Sequence, residues 1–134
     1  MDLTLAQLED AGSSLFPGLI GVEIDSVEDG RVLARMALDH RHMAPNGYLH
    51  AAAVIGLADT ACGYGCILSL PEGGTGFTTI ELKTNFLRTA NSGAIGCEAT
   101  RIHGGRTTQL WDATVRDERE RTLALFRCTQ LILR

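Results

Sequence analysis

The chain has 134 residues, 45% hydrophobic and 21% charged, a balance that suits one globular domain with a core of its own. Its formal charge of −4 argues against a general nucleic-acid binder, whose phosphate contacts call for a basic surface. The start, "MDLTLAQLEDAG", is acidic and amphipathic and does not read as a secretory or mitochondrial leader.

Leu5, Leu8 and Leu15 recur at helical intervals over residues 4–15, and "FPG" is expected to end that helix. "LIGVEIDSVEDGRVLARMALD" reads as two strands joined at "EDG". In the second, Val32, Ala34, Met36 and Leu38 alternate with Arg31, Leu33, Arg35 and Ala37, a half-buried edge pattern. The loop "HRHMAPNGY" leads into "AAAVIGLADTACGYGCILSL", residues 51–70, a long helix that "LPEGGTG" breaks. Three strands follow, "FTTIELKTNFLRT", "GAIGCEATRIHGG" and "RTTQLWDATVRD"; "DERER" turns the chain, and "TLALFRCTQLIL" closes it. No repeat, linker or low-complexity tract interrupts residues 1–134, which read as a single domain. The order predicts an α+β fold, with four strands in antiparallel succession after the long helix and one sheet for that helix to cover.

Residues 51–70 are long enough to raise the question of a membrane span. Asp59 near the centre, His50 at the edge and three internal glycines argue against it. The four cysteines, 62, 66, 97 and 128, lack the density of a disulfide scaffold and fit a reducing cytoplasm. Cys62 and Cys66 share a helical face, but no second Cys/His pair with ligand spacing follows, so packed thiols and no metal are expected.

The long helix has two stripes. Val54, Leu57, Ala61, Tyr64 and Leu68 form the bulky one expected against the sheet. Ala52, Gly56, Asp59, Gly63 and Cys66 form a stripe of small residues, which suggests close approach by a second subunit. Gly56, Gly63 and Gly65 each cost helix propensity at about 1 kcal/mol relative to Ala, so something at close range is expected to compensate.

Asp59 is the one charge in residues 51–70. A buried carboxylate without a partner is costly, so it shifts its pKa or finds a donor. His50 precedes it by nine residues, two and a half helical turns and roughly 13.5 Å along the axis, so the two point to opposite sides. They cannot form a pair within one chain; acting together, one must come from an antiparallel partner. The simpler alternative is that His50 caps the helix and Asp59 bonds a backbone group. Further on, residues 82–109 carry Lys83, Arg88, Arg101 and Arg106 against the lone carboxylate Glu98, which reads either as a solvated strand face or as a phosphate-binding surface.

The run "HMAPNGYLHAAAVIGLADTACGYG" resembles the hotdog-fold acyl-CoA thioesterases, especially their phenylacetate-degradation and 4-hydroxybenzoyl-CoA branches. Their pattern is Gly-x-x-His-Gly-Gly followed by an acidic residue nine positions after the His, and Gly47, His50 and Asp59 match it. The element order matches over nearly the whole chain. The resemblance implies an antiparallel sheet wrapped around one long central helix, and hydrolysis of acyl-CoA thioesters with small aromatic or short to medium acyl groups. Coenzyme A enters as part of the substrate, with no separate cofactor. Asp59 is implied to attack the thioester carbonyl or activate a water. The Ala51 N–H is implied to polarise the thioester oxygen, with His50 shaping the turn and Thr79 (or Thr78) completing the site. Asn46 and Gly47 fall in the substrate loop; Arg88 and Arg106 are implied for coenzyme phosphates, with Thr107 and Thr108 as hydroxyl donors. A homodimer, and beyond it a dimer of dimers, is the implied assembly.

Two departures stand out: Ala51–Ala52 replaces the double glycine, and Ala44 replaces the Asn or Gln that relatives carry six residues before the His, with Asn46 nearby. Two other functions fit the same fold. A hydratase or dehydratase needs a differently spaced His/Asp or His/Glu pair, which the residues around Asp39–His42 do not supply. A non-catalytic acyl-CoA sensor is expected to lack the helix carboxylate.

Overall fold

Local signals in the first third of the chain act where the sequence puts them, with one exception. In the computed structural model, which describes residues 3–134, α1 (Leu5–Ser13) starts at Thr4. The Thr4 hydroxyl accepts from the Gln7 N–H at 3.2 Å, and the Gln7 side chain accepts from the Thr4 N–H at 2.9 Å. Met1 and Asp2, the first residues of the acidic segment, lie outside the described residues. "FPG" does not end the helical region. It opens a second helix, α2 (Phe16–Ile20), because a proline in the first turn removes an N–H that has no helical acceptor anyway. Gly21, left-handed at φ 86°, closes α2.

β1 (Val22–Glu28) and β2 (Arg31–Ala37) are antiparallel across Asp29–Gly30. The alternation in β2 buries Val32, Ala34 and Met36. β2 is nonetheless an interior strand, because β4 (Ala94–Gly104) pairs on its other side and leaves β1 as the edge. β5 (Thr108–Arg116) and β6 (Thr122–Leu133) continue the ladder. β3 (Gly76–Phe86) departs from simple succession: it pairs with β6, not β4, giving the order β1-β2-β4-β5-β6-β3. The cause is α3 (Ala51–Ile67), which touches all six strands and delivers the chain to the far edge of the sheet.

The sheet grips α3 through Val54, Leu57, Ala58, Ala61 and Cys62, which pack with Met36, Ile95, Trp111 and Leu123. Tyr64 does not belong to this stripe. It lies under α1, its hydroxyl 3.4 Å from the Leu8 carbonyl. The helical glycines have covers of their own within the chain. A Cβ at Gly56 would lie 2.7 Å from Ile20 and 3.2 Å from Phe16, and one at Gly63 would lie 3.0 Å from Phe77. At Gly65 it would run into the Trp111 ring. The expected packing of a second subunit's helix on Gly56 and Gly63 is therefore corrected: α2 and β3 of the same chain occupy that space. Among the described residues no helix is long and apolar enough to cross a membrane.

Candidate active site

The loop before α3 is held by short local bonds. Asn46 Oδ1 accepts from the Tyr48 N–H at 3.1 Å, and Gly47, at φ 87°, takes the left-handed conformation that this tight turn demands. His42 is buried. Its Nδ1 accepts from the Asp39 N–H at 2.9 Å, so Nε2 carries the proton and donates to the Ile20 carbonyl at 2.7 Å. The segment after β3 latches on from the other side, where Thr89 Oγ1 accepts the Leu49 N–H at 2.9 Å.

His50 is the N-cap of α3. Its Nδ1 accepts from the Ala52 N–H at 2.9 Å, and its carbonyl accepts from the Ala53 N–H at 3.0 Å. These two bonds satisfy the next amides and leave the Ala51 N–H without an acceptor among the described residues. Ala51 opens onto a groove of about 570 Å³ that also meets Asn46, Tyr48, His50, Phe86, Arg88 and Thr89. A free N–H at the positive end of a helix, beside a groove, suits an oxygen that gains negative charge.

Asp59 lies at the middle of α3, well away from that groove. Its Oδ1 is buried and has no hydrogen-bond partner. Burial pushes its carboxyl above the ordinary range, and the Thr79 hydroxyl beside it opposes the shift. Thr79 faces the helix side of β3, in register with buried Gln130, whereas Thr78 pairs with Leu131 and is exposed. A register break between Thr79 and Glu81 adds one residue to the edge strand at this point. Thr79 Oγ1 donates to Gln130 Oε1 at 2.6 Å.

The residues expected on coenzyme A do not form one surface within the chain. Arg88 follows Phe86, which pairs with Ala124 at one end of the sheet. Arg106 and Thr107 lie in the β4–β5 turn, and Thr108 pairs with Leu131 at the other end. The strands between them separate the two groups by roughly 30 Å. Arg101 is not free for phosphate, since its guanidinium pairs with Asp29 at 2.9 Å. Composition could not resolve this division, because residues close in sequence sit at opposite ends of long strands.

All four cysteines are buried and unpaired. Burial pushes Cys66 and Cys97 up to about 12, and hydrogen bonding with Cys128, helped by burial, also raises Cys62, so these three offer no thiolate near neutral pH. Among the described residues no three His, Cys, Asp or Glu side chains gather as a metal set.

Residues 46–124, from the loop before α3 into β6, match the thioesterase superfamily. The chain belongs to that superfamily. A thioesterase of Haemophilus influenzae superposes with a TM-score of 0.89 at 30% identity, covering 99% of this chain and 92% of that one. A 1,4-dihydroxy-2-naphthoyl-CoA hydrolase of Listeria monocytogenes is 34% identical over 110 residues, 82% of this chain and 89% of its own. The proofreading thioesterase EntH of Klebsiella pneumoniae is 31% identical over 132 residues, 98% of this chain and 96% of its own. The fold of this thioesterase is the hotdog architecture expected from the sequence, and its enzyme class is thioester hydrolase. Residue-by-residue reading missed Gln130 and Thr89 in the thioesterase. Gln130 had a signal: it shares the parity of Ala124, Phe126, Cys128 and Ile132 on β6, a row otherwise apolar or thiol from Ala124 onward.

Proposed function

We propose that the protein hydrolyses acyl-CoA thioesters, with Asp59 as nucleophile or general base. The observation that carries this reading is half-buried Asp59, whose Oδ1 is buried without a hydrogen-bond partner, on a helix with no other charge. Nothing in the core needs that charge, and burial disfavours it. In one route the carboxylate attacks the acyl carbon, the C–S bond breaks, and water hydrolyses the resulting anhydride. In the other it takes a proton from the water that attacks. Both convert acyl-S-CoA and water to a carboxylic acid and free coenzyme A. The Ala51 N–H receives the developing oxyanion, and His50 holds the turn that points it outward.

Asp59 and the Ala51 N–H of one chain are about 12 Å apart along the helix, too far to meet one carbonyl. A homodimer resolves this by supplying the donor from the partner's helix. The free edge of β3 supports the assembly: it is bonded only to β6 and exposes Ile80, Leu82 and Phe86. Arg88, at the mouth of the groove, fits the coenzyme's phosphates, and Arg106 with Thr107 and Thr108 fits only as the contribution of another copy. Small aromatic or short to medium acyl groups, a dimer of dimers and a cytoplasmic setting complete the proposal.

Turnover of Asp59→Asn against a panel of acyl-CoA substrates tests the assignment. A loss of at least ~100-fold in kcat with the fold preserved is expected, the low end for a positioned acid–base group. A variant that keeps most of its activity contradicts it.

A further inference from the structure

Gln130 is fully buried on β6, on the same face as buried Phe126, Cys128 and Ile132. Its Oε1 accepts the Thr79 hydroxyl at 2.6 Å, while its Nε2 reaches only the Cys128 sulfur at 3.5 Å. Sulfur is a weak acceptor, so the Thr79 bond is the amide's one strong attachment. Burying an amide without full hydrogen bonding costs free energy, and that cost points to a role at Thr79.

A threonine hydroxyl has one proton to give. With that proton on Gln130, the Thr79 hydroxyl has lone pairs left for its neighbour Asp59, whose Oδ1 has no partner. A protonated Asp59 can donate into those lone pairs and complete a chain that runs Asp59 to Thr79 to Gln130. An ionised Asp59 cannot, and gains a hydrogen bond only if the hydroxyl swings away from Gln130.

We infer that Gln130 is a positioning residue that competes with Asp59 for the Thr79 proton and so holds the carboxyl toward its protonated form. The inference rests on the reading of Asp59 as the reacting carboxylate. When Asp59 loses its proton, the Thr79 hydroxyl rotates to donate to the carboxylate and releases Gln130 Oε1. The amide then turns to present Nε2 to Thr79 Oγ1. The Asp59 O–H is the one covalent bond that breaks, its proton passing to water; everything else is an exchange of hydrogen bonds.

Few other charges act on Asp59. On α3 its titratable neighbour is the Cys62 thiol, which is hydrogen-bonded with the free Cys128 thiol on β6 and stays protonated. Glu81 and Lys83 of β3 pair with Thr129 and Arg127 on the outer face of the sheet. α2, which covers Gly56, carries no charged residue.

The pH profile of kcat/KM tests the competition. Gln130→Met keeps length and removes the acceptor, so its acid limb is expected at lower pH than that of the unaltered enzyme. Thr79→Val removes the hydroxyl altogether and is expected to move the limb to higher pH. Because Gln130 acts only through Thr79, the double variant should match Thr79→Val. Thr79→Ser, which keeps the hydroxyl, should restore the original position. An unmoved limb in Gln130→Met, or additive shifts in the double variant, overturns the role of Gln130 while an inactive Asp59→Asn leaves the catalytic reading standing. Full activity in Asp59→Asn removes the reading itself. Should Gln130→Met fail to fold, nuclear magnetic resonance of the unaltered protein decides the matter. The Gln130 side-chain amide should titrate with the midpoint of the Asp59 carboxyl and stop doing so in Thr79→Val. An amide signal that ignores the Asp59 titration overturns the inference.

Discussion

Gln109 and Gln130 sit opposite each other on β5 and β6, both buried on the helix side of the sheet, yet they are used in different ways. Gln109 is fully engaged. Its Oε1 accepts from Trp111 Nε1 at 2.8 Å, and its Nε2 donates to the Ser69 carbonyl at 2.9 Å. Ser69 in turn donates to the Gly65 carbonyl at 2.6 Å, so one short network ties the end of α3 to the sheet. Gln130 makes one good bond, and that bond leads to a carboxylate with an unpartnered oxygen. A satisfied polar cluster fixes a core, whereas an incomplete one keeps hydrogen-bonding capacity for a reacting group. The two clusters are neighbours, so burial alone does not distinguish scaffold from site.

Unequal losses should follow if the contrast is real. The same substitution separates the two glutamines most sharply. Gln109→Met strands the Trp111 N–H and the Ser69 carbonyl, at ~1–3 kcal/mol for each buried unsatisfied group, so a loss of about 2 kcal/mol or more is expected. Gln130→Met strands only a hydroxyl that can turn to Asp59, and its loss should stay below about 1 kcal/mol. Urea unfolding at constant m-value measures both; equal losses would erase the distinction.

The coenzyme surface gives a smaller effect. Arg88→Ala and Arg106→Ala should each raise KM for acyl-CoA with kcat spared, the pattern of lost uniform binding. Neither should matter for acyl-pantetheine, which lacks the nucleotide. Equal damage with both substrates would assign these arginines to structure.

The smallest effect concerns stability and pH. Asp59 has a folded-state pKa raised by burial, so above its unfolded value the folded protein holds the proton more tightly than the unfolded chain. Stability from this group therefore falls as pH rises through that window and stays low at neutral pH. Asp59→Asn should raise the melting temperature at pH 7, and the gain should shrink toward zero at a pH below the unfolded value. A variant less stable than the parent at pH 7 would mean that the carboxylate has a partner in the assembly.

Much of this was readable from residue patterns. The alternation of Val32, Ala34 and Met36 located β2, and the His50-to-Asp59 spacing marked the N-cap of α3 and its one carboxylate. What the patterns could not carry was distance between elements. "FPG" looks like a stop because proline and glycine break helices, yet the same proline opens α2. β3 crosses to the far edge because α3 spans the sheet, which no local periodicity records. The length of β4 separates Arg88 from Arg106, though both lie in one basic segment of sequence. The small stripe at Gly56 and Gly63 correctly signalled close approach, but the approaching groups are Phe16, Ile20 and Phe77 of the same chain.

The most direct test of the central claim, a site that takes Asp59 from one chain and the Ala51 N–H from another, is a mixing experiment. Asp59→Asn removes the carboxylate. Ala51→Pro removes the N–H at a helix position where proline is tolerated, after a His50 whose ψ of 132° already suits a residue preceding proline. Each variant alone should be inactive. In verified heterodimers one site carries both defects and the other carries neither, so hydrolysis should return. Heterodimers that stay inactive, or hydrolysis by a demonstrably monomeric parent protein, would contradict the shared site.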